Sequence, residues 1–204
     1  GQTMNFSVWR DKFNSMLITL NNETVVRAML LLKIKSLSKG HSGVQLVTVE
    51  RLLTHLNEGV LPVVPSQGSL GASGDLAPLS HLVLPLIGEG ELVVDGAVVP
   101  ASTVLKAKGW DPIELGAKEG LALINGTQLM LGYGIMAVQR MDKIAAWADA
   151  LCAWSLEAWN GRPEPFDASI HEVRNHKGAQ ESAANIRNWI KESVWQDLPR
   201  EQVQ

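Results

Sequence analysis

Residues 68–81 read GSLGASGDLAPLSH, and within them Ala72-Ser73-Gly74 sets three small residues where chemistry on the backbone itself is possible. If a tight fold brings the amide nitrogen of Gly74 onto the carbonyl carbon of Ala72, a five-membered ring closes and water leaves. Glycine suits the attack because it lacks a Cβ and takes backbone conformations that clash for other residues. Alanine upstream is nearly as small. Loss of the Ser73 hydroxyl as a second water leaves an exocyclic methylene conjugated to the ring, a strong electrophile made with no external cofactor. A planar amide resists such bending, so the surrounding structure must hold the strain, and active sites are where strain is kept.

Two other readings of the same residues compete. Ser73 or Asp75 could cap a helix whose first turn carries Pro78, where the missing N–H would have been unpaired anyway. That accounts for Ser, Asp and Pro, but not for the pattern Gly68, Gly71, Gly74. A phosphate-cradling loop would use the glycines, since such turns at helix starts bind anions, yet no Gly-Lys-Ser or Gly-Lys-Thr follows.

The elements that must position this loop are mostly helical. Glu23 to Ser38, ETVVRAMLLLKIKSLS, has apolar residues at helical spacing, and Lys39-Gly40 reads as a basic last turn with a glycine cap. Val44 to Glu58 repeats the pattern, with Leu46, Val49, Leu52, Leu53 and Leu56 on one face, and the short turn at 41–43 predicts that the two helices run antiparallel. A helix is expected to start near Ala77. Glu89 to Leu105 alternates instead around Asp95-Gly96, a two-residue hairpin signal. Leu121 to Val138 is the longest apolar stretch and reads as a helix buried on all sides. From Met141, Trp147, Leu151, Trp154 and Ala158 recur at spacings of three and four and read as bundle packing. Gly161, Pro163 and Pro165 break the pattern, and a last helix runs from Gln180 to about Asp197. The predicted fold is therefore mainly α, a bundle of long antiparallel helices with a small β-hairpin excursion, organised as a single region over 1–204.

Composition bounds the function. With 204 residues, 46% of them hydrophobic, the chain can build one sizeable core or a piece of a larger one. A net charge of −3, with Lys and Arg dispersed, offers no basic stripe for nucleic acid or an anionic membrane, and Asn125 and Gln128 interrupt the apolar stretch that could otherwise span a bilayer. Neither partner is expected. Cys152 is the only cysteine and reads as a core residue; together with the lack of a secretory signature, it leads us to expect a cytoplasmic protein. His41, His55, His171 and His176 lack metal-ligand spacing, so no metal is expected. His81 is expected to pack or hydrogen-bond near the glycine-rich loop.

GSLGASGDLAPLSH resembles the signature of the aromatic amino-acid ammonia-lyases, whose prosthetic group, a methylidene-imidazolone, arises from an internal Ala-Ser-Gly. A second block, KEGLALINGTQ at 118–128, resembles the family's other hallmark, in which the asparagine of Asn-Gly-Thr lies beside that group. LLLKIKSLSKGHSGVQL and GRPEPFDASIHEVRNHKG are most similar to the bacterial histidine-specific members, so the resemblance covers roughly 25–190. It implies Ala72, Ser73 and Gly74 as the catalytic, ring-forming residues and Asn125 as a substrate-binding residue. It also implies an amino-acid substrate losing ammonia, histidine giving urocanate, and a homo-oligomer, a tetramer in the family. An amide in an otherwise apolar stretch must have a partner; Asn125 is expected to face the Ala72–Gly74 loop, an interhelical hydrogen bond being the alternative.

Other family features have no counterpart here. The family's catalytic base is a tyrosine in a mobile loop, whereas the single tyrosine, Tyr133, lies in the apolar stretch and reads as packing. The Tyr-Gly loop and the Ser-His segment that reads the substrate should precede Val25, and GQTMNFSVWRDKFNSMLITLNN contains neither. The carboxylate-binding arginine belongs to an Asp-x-Tyr-Ser-Leu-Arg motif, and Gln202-Val203-Gln204 resembles the residues just before it. The expectation is a central lyase segment with little turnover by itself. Arg10, Arg27, Arg162 and Arg174 are the alternative anchors, although no motif selects one. A catalytically silent helical scaffold and an aminomutase are the other functions this sequence allows.

Overall fold

The structure, a computed structural model, describes residues 21–193. Helix α1 (Glu23–Leu37) starts where the sequence predicts, with the Asn22 side chain accepting the Val25 amide as an N-cap. Its end differs from expectation. Ser38 is the capping residue and stays right-handed, donating its amide to Ile34, and Gly40, at φ 77°, turns the chain two residues later.

Helix α2 (Leu46–Glu58) runs antiparallel to α1, because Arg27 near the start of α1 donates to the Leu56 carbonyl near the end of α2. Its buried face is Thr48, Leu52 and His55, flanked by Val49 and Leu56, while Leu46 and Leu53 are exposed. The face is rotated from the expected one because both polar residues find partners inside: the Thr48 hydroxyl donates to Glu119, and His55 Nδ1 donates to the Val60 carbonyl.

Strand β1 (Leu61–Pro62) pairs antiparallel with β2 (Glu91–Val94), which pairs antiparallel with β3 (Ala97–Pro100). The predicted hairpin is present: Asp95 and Gly96 both have positive φ, 49° and 80°, as the favoured two-residue turn requires. β1 was not legible in the sequence. The alternation expected through Leu105 stops at Pro100, and helix α4 (Ala101–Lys108) follows, burying Ala101, Val104 and Leu105 at helical spacing against Leu92 and Val60.

Helix α3 (Leu76–Val83) continues into a 3₁₀ turn at Leu84–Ile87. The single helix expected over Leu121–Val138 is two helices, α5 (Glu119–Ile124) and α6 (Gln128–Ala158), separated by an extended Asn125 and by Gly126 at φ 148°. Neither conformation continues a helix. The stretch is not buried on all sides either, since Leu121, Met130, Leu131, Tyr133, Ile135 and Val138 are exposed. Further along α6, Trp147 and Trp154, expected to pack, are each 68% exposed.

The chain divides inside α6, between Met136 and Ala137, into two compact units. The first has its core around Met29, Leu30, Leu52, Leu79, Leu86 and Leu123. In the second, α7 (Ala168–Arg174) leads to α8 (Lys177–Ile190), whose Ala183, Ile186 and Ile190 are buried. Ala153, Ile186 and Ile190 form its apolar cluster, with Cys152 half-buried against it. The last helix starts three residues before the expected Gln180 and ends at Ile190, where the chain turns over Lys191 to Ser193; the expected end, Asp197, lies outside the described residues. No helix among the described residues is long and apolar enough to cross a membrane.

One buried carboxylate ties α2 to α5. Glu119, 1% exposed, accepts from the Gln45 amide nitrogen and side chain, the Thr48 hydroxyl and the Gly116 amide. Burial by itself would raise its pKa, but the hydrogen bonds from Thr48, Gln45 and Gly116 outweigh it and bring the pKa from 4.5 to about 2. A depressed carboxylate pKa stabilises the fold fully above the unfolded value and loses that stabilisation as pH falls toward the folded one. Glu119→Gln is therefore expected to lose about 2–3 kcal/mol at pH 7, with the deficit shrinking as pH falls from 4.5 toward 2. Urea denaturation across that window measures it, and a deficit independent of pH would contradict this account.

Candidate active site

Ala72-Ser73-Gly74 lies in the connection from β1 to α3, and Asn125-Gly126-Thr127 in the connection from α5 to α6. The two connections meet. Gly74 and Gly126 form an isolated parallel bridge, and the Asp75 amide donates to the Gly126 carbonyl at 2.7 Å. Because the bond leaves from the following residue, the Gly74 nitrogen lies outside it. A Cβ on Gly74 would sit 2.2 Å from the Gly126 oxygen, and Gly74 has φ 95°. Glycine is thus required there twice, by close approach and by backbone conformation. Ser73 is exposed, and its hydroxyl has no hydrogen bond among the described residues.

Asp75 secures the junction from one side. It occupies the N-cap position of α3, as one of the sequence readings expects, but its side chain does not bond to that helix. The carboxylate is buried, 1% exposed, and accepts from the Ser69 hydroxyl at 2.9 Å and from the Met130 amide at 3.0 Å. Met130 is the third residue of α6, the position an N-cap side chain serves. Asp75 therefore caps a helix far away in sequence, and its negative charge sits at the positive end of that helix dipole.

Lys33 secures it from the other side. The residue lies on the apolar face of α1 with Val26, Met29, Leu30 and Leu37, is 1% exposed, and donates from Nζ to the carbonyls of Ala122, 3.1 Å, and Asn125, 2.9 Å. These carbonyls end α5 and would otherwise be orphaned. Burial lowers the Lys33 pKa from 10.5 to about 8. The sequence reading missed this residue; a lysine at a core position of an amphipathic helix was the available signal.

Asn125 differs from its expected setting. It caps the end of α5 instead of lying inside a helix, and it is exposed. Its Nδ2 donates to Leu121 O at 2.9 Å, so the amide is partnered by its own helix, and the backbone of the next residue, Gly126, touches the Gly74 loop. Its Oδ1 has no partner among the described residues. His81 is exposed and makes no hydrogen bond among the described residues, contrary to expectation, because its position on α3 faces away from the buried Pro78, Leu79 and Leu82. The Tyr133 hydroxyl donates to Asn21 Oδ1. Arg27 is paired with Glu23 and Arg162 with Glu164, while Arg10 lies outside the described residues. Among the described residues no group of three or more His, Cys, Asp or Glu could hold a metal ion.

The close approach makes two glycines in one loop unequal. Gly71 also has a left-handed φ, 70°, but a Cβ there meets nothing within 4 Å. Gly71→Ala is expected to cost about 1 kcal/mol for its backbone conformation alone, and Gly74→Ala about 2–4 kcal/mol because the Gly126 backbone must also move. Equal losses in chemical denaturation would show that the bridge does not constrain Gly74.

The family model for aromatic amino acid lyases matches residues 13–204. The chain is 49% identical over 169 residues to a histidine ammonia-lyase of Chloroflexus aurantiacus, covering 83% of this chain and 32% of that protein. It is 53% identical over 162 residues to one of Gloeobacter violaceus, covering 79% and 32%. Among solved structures, histidine ammonia-lyase from Trypanosoma cruzi aligns with a TM-score of 0.76 at 44% identity, over 84% of this chain and 34% of that one. A tyrosine aminomutase from Streptomyces globisporus gives 0.77 at 45% identity, over 83% and 32%. The chain spans about a third of the length of the curated relatives it matches. With the Ala-Ser-Gly loop bridged to the Asn-Gly-Thr turn and the family match running through both, the chain belongs to the aromatic amino acid lyases.

Proposed function

We propose that this chain is the electrophile-bearing segment of an ammonia-lyase that eliminates ammonia from an aromatic L-amino acid, histidine giving urocanate, in the cytoplasm. The observation that carries the reading is the Gly74–Gly126 bridge, which brings the ring-forming tripeptide against the turn that holds Asn125. Identity near 50% to histidine ammonia-lyases favours histidine over other aromatic substrates.

The residues at 72–74 fit the ring chemistry. Gly74 has no Cβ to block approach, its nitrogen is not held by the bridge, and the Ser73 hydroxyl is free to leave. The Gly74 nitrogen attacks the Ala72 carbonyl carbon, and the carbonyl oxygen departs as water with the Gly74 and Ser73 amide protons, leaving a C=N bond to the Ser73 nitrogen. Ser73 then loses its Cα proton and its hydroxyl as the second water, which forms the exocyclic C=C bond. When present, the resulting methylidene-imidazolone supplies an electrophilic methylene that draws electron density from the amino acid, easing loss of a β-proton and of the amine. Asn125 offers Oδ1 and its second Nδ2–H to the substrate. Lys33 donates to the Asn125 carbonyl and Asp75 accepts from the Met130 amide, on either side of that turn.

An aminomutase is the second reading, favoured by the 0.81 TM-score and 42% identity to a tyrosine aminomutase mutant. It would return ammonia to the β-carbon and leave no urocanate. Assembly into a homo-oligomer, a tetramer, is supported by the exposed apolar row Met141, Ile144, Trp147, Leu151 and Trp154 on α6.

Intact mass tests the ring. The purified chain is expected to weigh less than its sequence by two waters, and Ser73→Ala to keep its full mass; full mass in both would leave a silent scaffold. Incubated alone with histidine, the 204 residues are expected to turn over at least 10²–10⁴-fold more slowly than an intact lyase. The reason is that the Tyr133 hydroxyl and the Arg27 and Arg162 guanidinium groups are already committed to Asn21, Glu23 and Glu164, and Arg174, the remaining alternative anchor among the described residues, is exposed on α7 with no motif that selects it. Urocanate formation near the intact rate, abolished by Ser73→Ala, would refute that expectation.

A further inference from the structure

Lys33 is buried more completely than a surface lysine has reason to be, and no carboxylate lies within ion-pair reach of it among the described residues. An uncompensated buried ammonium is costly, so what it holds must matter to the fold around it. Its two acceptors are the carbonyls of Ala122 and Asn125, 89 and 92 residues away in sequence. The second belongs to the residue immediately before Gly126, whose own carbonyl receives the Asp75 amide beside Gly74.

We propose that Lys33 is a positioning residue for the ring-forming loop: its ammonium holds the Asn125 carbonyl, which fixes the Gly126 carbonyl against Gly74 and Asp75 and aligns the tripeptide for closure. Three features support it. α5 is six residues long, and while Asn125 bonds the Leu121 carbonyl, the carbonyls of Ala122 and Asn125 have no partner within the helix or the turn, so their position depends on Lys33. The bridge at Gly74 tolerates no slack, since the space for a Cβ there is already filled by the Gly126 carbonyl. The positive charge at the C-terminal end of α5 has the sign its dipole favours, as the negative charge of Asp75 does at the start of α6. Lys33 and Asp75 thus grip opposite ends of the Asn125–Gly126–Thr127 turn, and slack at either end reaches Gly74.

The inference rests on the ring reading for its chemical consequence, and two readouts separate the two claims. Lys33→Met keeps the length of the side chain and removes its donors; Lys33→Arg keeps charge and donors. The first readout is the rate at which newly made protein loses two waters, followed by intact mass. We expect Lys33→Met to mature about tenfold or more slowly, as loss of charge-assisted hydrogen bonds predicts, and Lys33→Arg to restore the rate to within a few-fold. The second is hydrogen exchange at the Asp75 and Met130 amides, expected to quicken in Lys33→Met while α2 stays protected, and to recover in Lys33→Arg. A folded Lys33→Met that matures at the wild-type rate, or that leaves Asp75 and Met130 as protected as before, overturns the proposal. Should wild type itself keep its full mass, the ring reading fails, and the exchange readout still decides whether Lys33 holds the turn. If Lys33→Met does not fold, Lys33→Arg decides: wild-type maturation and exchange support the proposal, and a folded Lys33→Arg that fails in both despite keeping its charge overturns it.

Discussion

The contact between Gly74 and Gly126 is the constraint on which the candidate site depends. Two chain segments that begin helices approach so closely that a single methyl group would collide with a carbonyl oxygen 2.2 Å away. Such proximity is cheap only when neither residue has a side chain and each can adopt a positive φ, here 95° and 148°. The approach costs conformational freedom, and packing alone would not hold it, because the contact is polar backbone against polar backbone. Hydrogen bonds between the segments, and to them from buried side chains, must do so.

Two buried charges, Lys33 and Asp75, supply such bonds, a third, Glu119, ties α2 to α5, and each of the three sits at a helix end whose dipole matches its sign. Asp75 lies at the start of α6, Lys33 at the end of α5, and Glu119 at the start of α2. A charge in a protein interior is expensive unless hydrogen bonds replace its water. Helix ends are where spare donors and acceptors of a single sign are concentrated. Glu119 satisfies this best, with four donors around one carboxylate, and its pKa falls despite burial. Lys33 has two acceptors and no counter-charge, so burial prevails and its pKa falls as well, which for a base means that the charged form is disfavoured. The opposite consequences for stability follow from the number of partners, not from the depth of burial, since both side chains are 1% exposed.

Away from this junction, the surface retains apolar area. The row of side chains along α6 that includes Trp147 and Trp154 has the spacing of a packed helix but is exposed here. The chain spans about a third of its curated relatives, so a pattern that reads as core in the sequence can belong to a core wider than this segment. Periodicity reports that a face is meant to be covered; it does not say by what.

How much of the molecule was legible follows from the range of the forces involved. Local sequence settled the hairpin, because Asp95-Gly96 needs only its own two positive φ values. It settled α1 and α2 and their antiparallel packing, because helical periodicity and a short turn act within a few residues. It also singled out Ala72-Ser73-Gly74, since the chemistry requires those three types in that order. Tertiary structure decided the rest. Thr48 and His55 replaced Leu46 and Leu53 on the buried face of α2 because partners at Glu119 and Val60 made their polarity tolerable. The apolar stretch from Leu121 broke at Asn125 because Lys33 and Asp75 hold the turn from 92 and 55 residues away, counted from Asn125 and Met130. Whether a polar side chain is buried depends on where its hydrogen-bond partner ends up, and no pattern read over a few neighbouring residues contains that information.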